Sequence, residues 1–321
     1  MDCQAVALRV LAHFDPGPKV LDFLATETDW LDIVWCPDDE TFYRELPDAE
    51  VIWHVLRPLS ESDLSRANRT RLVHKFGAGV NTVDVEAATR QGIAVANMPG
   101  ANAPSVAEGT LLLMLAALRR LPVLDRATRL GRGWPSDPQL GETVRDIGAC
   151  TVGLVGYGNV AKQVAGILAA MGATVLHTST TDDGLSSWRP LRELLADSDI
   201  VSLHLPLTAD TDGLIDRAAI AGMKAGAVLV NTSRGPIVDE AALAEALRDG
   251  RLTAAGLDVF GAEPVAADNP LLELDNVVLT PHVTWYTVDT MRRYLVEAVA
   301  NCRRLRDGEP LAHVVNQPTG C

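Results

Sequence analysis

Residues 150–161 read CTVGLVGYGNVA. The apolar run through Val155 has the pattern of a buried strand, and Gly156-x-Gly158-x-x-Ala161 has the pattern of a turn into a helix. Each small residue answers a physical need. Gly156 permits the tight turn, Gly158 lets backbone N–H groups approach a pyrophosphate at the helix N-terminus, and Ala161 lets helix and strand pack closely. A helix running to Met171 and a strand ATVLHT at 173–178 complete a βαβ unit. A glycine pattern is weak alone; in this setting it reads as a dinucleotide site, with a purely structural turn as the bland alternative.

In such a unit the second strand ends in Asp or Glu, which bonds the ribose 2′-hydroxyl of NAD. Here Ser179 takes that place, followed by Thr180 and Thr181, and the first acids are Asp182 and Asp183. Hydroxyls do not repel a 2′-phosphate, which leans toward NADP being accepted. The nearest base is Arg189, however, so NAD held through Asp182 or a water stays open.

The αβ alternation extends both ways. Beyond the glycine turn lie a helix near 188–196, DIVSLHLP, a helix at 216–222, AVLVNTS, a helix at 239–249, AAGLDVF and NVVLTPH, a doubly wound set. Residues 1–98 hold an earlier series: AVALRVLA, LDIVWC, AEVIWHVL, RLVHKF and GIAVANM as strands, with helices at VLDFLAT and VDVEAATRQG. The spacing predicts a long, mostly buried helix over 103–120, read as a homodimer contact against the alternative of a core helix within one chain. Residues 121–148 read as polar loop, and MRRYLVEAVANCRRLRDG from about 288 reads as an amphipathic helix stopped at Gly308.

The chain has 321 residues, 47% hydrophobic and 22% charged, enough for two domains with their own cores. A net charge of −14 argues against nucleic-acid or anionic-membrane partners. The five cysteines are scattered and show no metal spacing, so reduced thiols, no metal site and a cytoplasmic location are expected. The longest apolar run, TLLLMLAAL, is about half a membrane span.

Three polar residues each follow an apolar run at a Gly- or Pro-marked turn: Arg234 after VLVNTS, Glu263 after AAGLDVFGA and His282 after NVVLTP. A guanidinium, a carboxylate and an imidazole at one sheet edge suit proton and hydride movement on a carboxylate-bearing substrate. A structural Arg234–Glu263 bridge is the plain alternative.

At this point the chain resembles the D-isomer-specific 2-hydroxyacid dehydrogenases. The matching segments are KFGAGVNTVD (75–84), VANMPGANAPSVAEG (95–109), TVGLVGYGNVA, VSLHLPLTADT (201–211), MKAGAVLVNTSRGPIVDEAALAEAL (223–247), AAGLDVFGAEP and VVLTPH, in family order along nearly the whole chain. The resemblance implies that His282 is the general acid/base, that Glu263 orients it, and that Arg234 holds the substrate carboxylate. It implies a second grip on that carboxylate by backbone N–H groups of Phe76, Gly77, Ala78 and Gly79. For the cofactor it implies Gly156, Tyr157, Gly158, Asn159, Val160, Thr178, Ser179, Thr180, His204, Pro206, Thr211, Thr232, Ser233, Asp258 and His282, with Asp258 facing the nicotinamide carboxamide. His204 reads as a cofactor wall or structural histidine. His13, His54, His74, His177 and His313 receive no role.

Three positions set the chain apart. Ser233 stands where the family usually has Ala. Trp285 stands where many members have a small residue, and would narrow the pocket. Arg57 follows a first-domain strand and could meet a second anionic group, with Trp53, Leu56 and Lys75 nearby. The expectation is a two-domain α/β enzyme: a flavodoxin-like substrate lobe (1–98 and 288–321), a Rossmann lobe binding NAD or NADP (99–287), and a cleft between. The expected reaction is reversible hydride transfer between a D-2-hydroxy acid and its 2-oxo acid. Two alternatives stay open: a phosphite- or phosphonate-type substrate, and a dinucleotide-sensing, corepressor-like regulator. The Glu263/His282 pair disfavours formate, whose dehydrogenases pair His with Gln.

Overall fold

The computed structural model describes residues 7–27, 29–132, 134 and 140–318. The chain divides into two units, Met1–Asn102 with Tyr286–Cys321, and Ala103–Trp285. Cys3, Cys321 and, within the 121–148 stretch, residues 133 and 135–139 lie outside the described residues.

In the first unit, β1 (Leu8–Ala12), β2 (Leu31–Trp35), β3 (Val51–His54), β4 (Leu72–Lys75) and β5 (Ala94–Ala96) form one parallel sheet in the order β2-β1-β3-β4-β5. This is the flavodoxin-like order. β3 and β4 are buried at every residue, His54, His74 and Lys75 included, as strands covered on both faces are. Four helices connect the strands: α1 (Pro18–Leu24), α2 (Asp39–Glu45), α3 (Glu61–Leu64) and α4 (Val85–Arg90). The apolar pattern does not announce α2 and α3, which start on local polar signals. Asp38 accepts the Thr41 N–H, and Ser60 with Asp63 forms a reciprocal capping box.

The second unit begins with α5 (Ala103–Leu118), α6 (Leu121–Arg129) and the short α7 (Leu140–Thr143). It continues through β6 (Thr151–Val155), α8 (Asn159–Ala170), β7 (Thr174–Thr178), α9 (Leu191–Asp197), β8 (Ile200–Leu203), α10 (Arg217–Gly222), β9 (Ala227–Asn231), α11 (Glu240–Arg248), β10 (Leu252–Leu257) and β11 (Val277–Leu279). The strands are parallel in the order β11-β10-β9-β8-β6-β7. A single parallel bridge, His177 to Trp188, stands where a further edge strand would pair with β7. Counting that bridge, the order is 3-2-1-4-5-6-7, the Rossmann order with β11 as a seventh strand at the far edge.

The reading of 121–148 as loop needs correction, because α6 occupies its first nine residues. Pro122 lies in the first turn, where it needs no N–H partner, and Asp125 pairs with Arg129 one turn on at 2.8 Å. The nearly continuous burial expected of α5 also has an exception, since Leu112 is 61% exposed. The rest of α5 packs against α8, β9 and β10.

The last helix, α12 (Val288–Asp307), belongs to the first unit, where Tyr294 is fully buried 5.5 Å from the Phe76 ring. Thr287 caps its start, and Gly308 ends it at φ 70°, the left-handed conformation that glycine adopts without steric cost. Among the described residues, no helix is long and apolar enough to cross a membrane.

β6 packs so closely on α9 that a Cβ at Gly153 would collide with Ser198 and Leu194. Gly153→Ala is therefore expected to cost about 1–3 kcal/mol by overpacking. Urea unfolding will show a lower midpoint, and an unchanged midpoint contradicts the packing argument.

Candidate active site

The glycine turn joins β6 to α8. Gly156 has φ +91°, and a Cβ there would lie 2.6 Å from the His204 carbonyl oxygen. Its N–H donates to Thr178 O at 3.0 Å, tying the turn to the end of β7. Gly158 is the N-cap of α8 and has no side-chain cap; a Cβ on it would meet no atom within 4 Å. The twelve-residue helix thus presents the uncapped N–H groups of its first turn, with no acidic side chain there, to open space. These are the conditions for an anionic ligand at a helix N-terminus. Ala161 is fully buried against the sheet. The residues present therefore fit a dinucleotide pyrophosphate.

β9 ends in Asn231, whose side chain shapes the next turn. Its Oδ1 accepts from Ser233 N–H (3.0 Å) and Ser233 Oγ (2.8 Å), and its Nδ2 donates to Arg234 O at 2.8 Å. Thr232 shares a hydroxyl–hydroxyl bond of 2.8 Å with Thr110 of α5. Arg234 is half-buried, and one of its guanidinium N–H groups donates to Ser233 O at 2.6 Å. A Cβ on Gly235 would overlap the backbone of Phe260 and Gly261. Only glycine lets the Arg234 turn lie directly on the loop that follows β10.

That loop carries Glu263. One carboxylate oxygen accepts from Phe260 N–H at 3.0 Å, and the other meets His282 Nδ1 at 2.7 Å. Glu240, at the start of α11, accepts from Gly261 N–H at 2.5 Å and from the Asn269 side chain at 2.9 Å, bracing the same loop. Burial pushes the Glu263 pKa up, but the His282 bond and charge, the Phe260 N–H and the Arg234 charge outweigh it and hold it below its ordinary value. With Nδ1 bonded to the carboxylate, Nε2 is the ring nitrogen left to exchange a proton.

His282 has φ 55°, a left-handed backbone that costs a non-glycine residue about 1–3 kcal/mol. Asp258 holds it there. The Asp258 carbonyl accepts the His282 N–H at 2.7 Å. One carboxylate oxygen accepts from Thr280 Oγ1 (2.6 Å) and Val283 N–H (2.9 Å), the other from Thr284 N–H (3.1 Å) and Thr284 Oγ1 (2.6 Å). Asp258 is 1% exposed, and these four bonds occupy the acceptor positions of its carboxylate. Asp258 thus braces the turn that carries His282.

Comparison with known proteins decides the family. Residues 111–284 match the family model described as "D-isomer specific 2-hydroxyacid dehydrogenase, NAD binding domain". The chain belongs to this family. It is 37% identical to a D-3-phosphoglycerate dehydrogenase of Archaeoglobus fulgidus over 97% of this chain, and spans 60% of that relative's length. It is 36% identical to a glyoxylate reductase of Aeropyrum pernix, over 96% of each. The structure of a D-lactate dehydrogenase of Aquifex aeolicus, complexed with NAD and lactic acid, superposes with TM-score 0.85 at 30% identity, over 97% of this chain and all of that one.

The remaining expected residues of this family member fall as follows. Trp285 donates its indole N–H to His282 O at 2.9 Å, so its ring is pinned to the turn carrying the imidazole. Burial lowers the His204 pKa to about 4, leaving a neutral imidazole at pH 7, bonded at 3.0 Å to Ser202 Oγ. Thr211 closes its loop on Pro206 O at 2.7 Å. Ser179 Oγ donates to Thr181 O at 2.7 Å.

In the first unit, two expectations narrow. Phe76 is buried and its N–H is already engaged, donating to His54 O at 2.8 Å. Arg57 is engaged within the unit by Asp39 at 2.6 Å, by Tyr43 Oη at 2.9 Å and by the Tyr43 ring 4.8 Å away. Trp53 and Lys75 are buried. Asn231, Glu240, Thr110 and Gly235 went unnoticed in the sequence. Asn231 alone carried a readable signal, an Asn at a strand end before Ser-Arg-Gly.

The lowered Glu263 pKa fixes a sign. Its contribution to stability is present above the ordinary value of 4.5 and is lost as pH falls through the depressed value of the folded state. Glu263→Gln should therefore be less stable near neutral pH by about 0.5–1 kcal/mol, the scale of a partly exposed pair. The gap should close toward pH 3, and a gap of constant size in denaturant titrations contradicts the linkage.

Proposed function

We propose that this protein catalyses reversible hydride transfer between a D-2-hydroxy acid and its 2-oxo acid, chiefly as a 2-oxo acid reductase. The observation that carries the reading is the 2.7 Å His282–Glu263 bond, in the same unit as Arg234 and the dinucleotide turn. When bound, the nicotinamide supplies or accepts the hydride. His282 Nε2 delivers the proton to the substrate oxygen in reduction and removes it in oxidation. Glu263 fixes the tautomer and holds the ring in place through its 2.7 Å bond to Nδ1. Arg234 holds the substrate carboxylate, for which its planar fork suits two parallel bonds. We assign cofactor binding to the second unit.

Several finer points follow as proposals. The engagement of Arg57 by Asp39 and Tyr43 favours a small substrate without a distal phosphate. Trp285, fixed on the His282 turn, would bound the space for the substrate side chain. With Ser179 at the end of β7, NADP is proposed to be accepted beside NAD. Exposed Leu112, Leu121, Leu124 and Leu130 on and beside α5 and α6 support a homodimer contact there. The unpaired thiols of Cys36, Cys150 and Cys302 support a reducing, cytoplasmic setting.

The test is a panel of 2-oxo acids assayed with NADH and NADPH. Turnover with glyoxylate-sized acids is expected, and His282→Ala should abolish it while cofactor binding remains. If no acid oxidises either nucleotide, the reading fails. Arg234→Lys should raise KM and lower kcat, together costing about tenfold or more in kcat/KM as the fork is lost. Near-native kinetics would remove Arg234 as the anchor.

A further inference from the structure

His177, which the sequence left without a role, is the penultimate residue of β7 and fully buried. Its ring lies flat on Tyr157, with centroids 3.9 Å apart and planes at 21°, and Tyr157 is the residue between the two glycines of the dinucleotide turn. Lys162, on the first turns of α8, stands 5.9 Å from the centroid of the Tyr157 ring. On its edges, His177 bonds Ser187 Oγ at 3.1 Å and, through Nε2, Asp183 Oδ2 at 2.9 Å. The other Asp183 oxygen accepts the Leu185 N–H at 3.1 Å. Asp182 is also engaged, accepting the Gly184 N–H at 2.8 Å. A buried imidazole thus links the glycine turn to the loop after β7, and it draws the nearer-packed of that loop's two carboxylates onto itself.

That loop follows the strand end where a Rossmann site reads the ribose 2′ position. With Asp183 held on His177, the strand end presents the hydroxyl residues Ser179, Thr180 and Thr181. We propose that His177 is a positioning residue for cofactor choice: by clasping Asp183 it keeps that carboxylate off the 2′ corner and lets a 2′-phosphate enter. The inference rests on the nicotinamide-dependent reading above and deepens it. A histidine that merely fills the core would, when replaced, weaken both cofactors alike. One that holds a charge aside weakens only the phosphorylated cofactor, because only the 2′-phosphate is repelled by a released carboxylate.

The experiment is titration of the full chain with NADPH and with NADH, followed by nicotinamide fluorescence. His177→Ala, and His177→Leu as the variant that keeps volume beneath Tyr157, should raise the ratio of Kd for NADPH to Kd for NADH about fivefold, the scale of a partly exposed charge interaction. Adding Asp183→Asn to either variant should restore the ratio. Asp183→Asn alone should barely move it, and this variant tests the proposal even if both His177 variants unfold: a marked gain for NADPH there shows the carboxylate was never held aside. Equal weakening of both cofactors, failure of the double variant to restore the ratio, or binding of NADH alone by the unaltered chain each overturns the inference. A chain that binds neither nucleotide overturns the dehydrogenase reading itself, and the inference with it.

Discussion

The four hydrogen bonds accepted by the Asp258 carboxylate hold residues 280–284 in a shape that an unsupported chain would leave. His282 sits in that turn with a left-handed backbone, and its N–H is tied to the same aspartate's carbonyl. A buried carboxylate is costly unless its lone pairs are satisfied. Here two hydroxyls and two N–H groups satisfy it, and the bonding fixes where the imidazole begins. The direction of the ring then comes from Glu263, itself placed by the Phe260 N–H and by the brace from Glu240.

The second constraint is contact between backbones. Gly235 rests on Phe260–Gly261, and Gly109 faces Thr284, where a Cβ would lie 2.6 Å from the threonine side chain. Gly256 lets β10 approach Leu113 of α5, and Thr110 bonds Thr232 in the Arg234 turn. α5 therefore packs on β10 and acts as a floor under the loops after β9 and β11. Three loops that meet only through side chains would hold Arg234, Glu263 and His282 less closely than loops whose backbones touch.

The cofactor end works by a different balance. The start of α8 offers uncapped N–H groups and the positive end of the helix dipole to an anion, with no acidic side chain in its first turn. At the end of β7 the same economy appears in reverse, with acidic groups drawn into Asx turns and onto His177. A protein with net charge −14 must arrange its anion sites locally, because its overall field opposes an anionic cofactor or substrate.

Much of this was legible in the residues. Near-continuous apolar runs alternating with helical patterns specify two parallel sheets, since strands covered on both faces are predominantly apolar. The glycine spacing at 156–161 specifies the nucleotide turn, and Arg234, Glu263 and His282 stood out as polar residues after apolar runs. Helices α2, α3 and α6 were missed because caps and single ion pairs, not apolar periodicity, start and support them. The sequence by itself determined the fold class, the glycine turn and the polar residues Arg234, Glu263 and His282 at strand ends, because these depend on local period and residue type. Only the tertiary structure decided that Asp258 braces the His282 turn, that Arg57 is engaged by Asp39, that Phe76 N–H is occupied and that His177 holds Asp183. Those assignments depend on partners brought together from different parts of the chain, and no local pattern says which of several possible partners a buried polar group will meet.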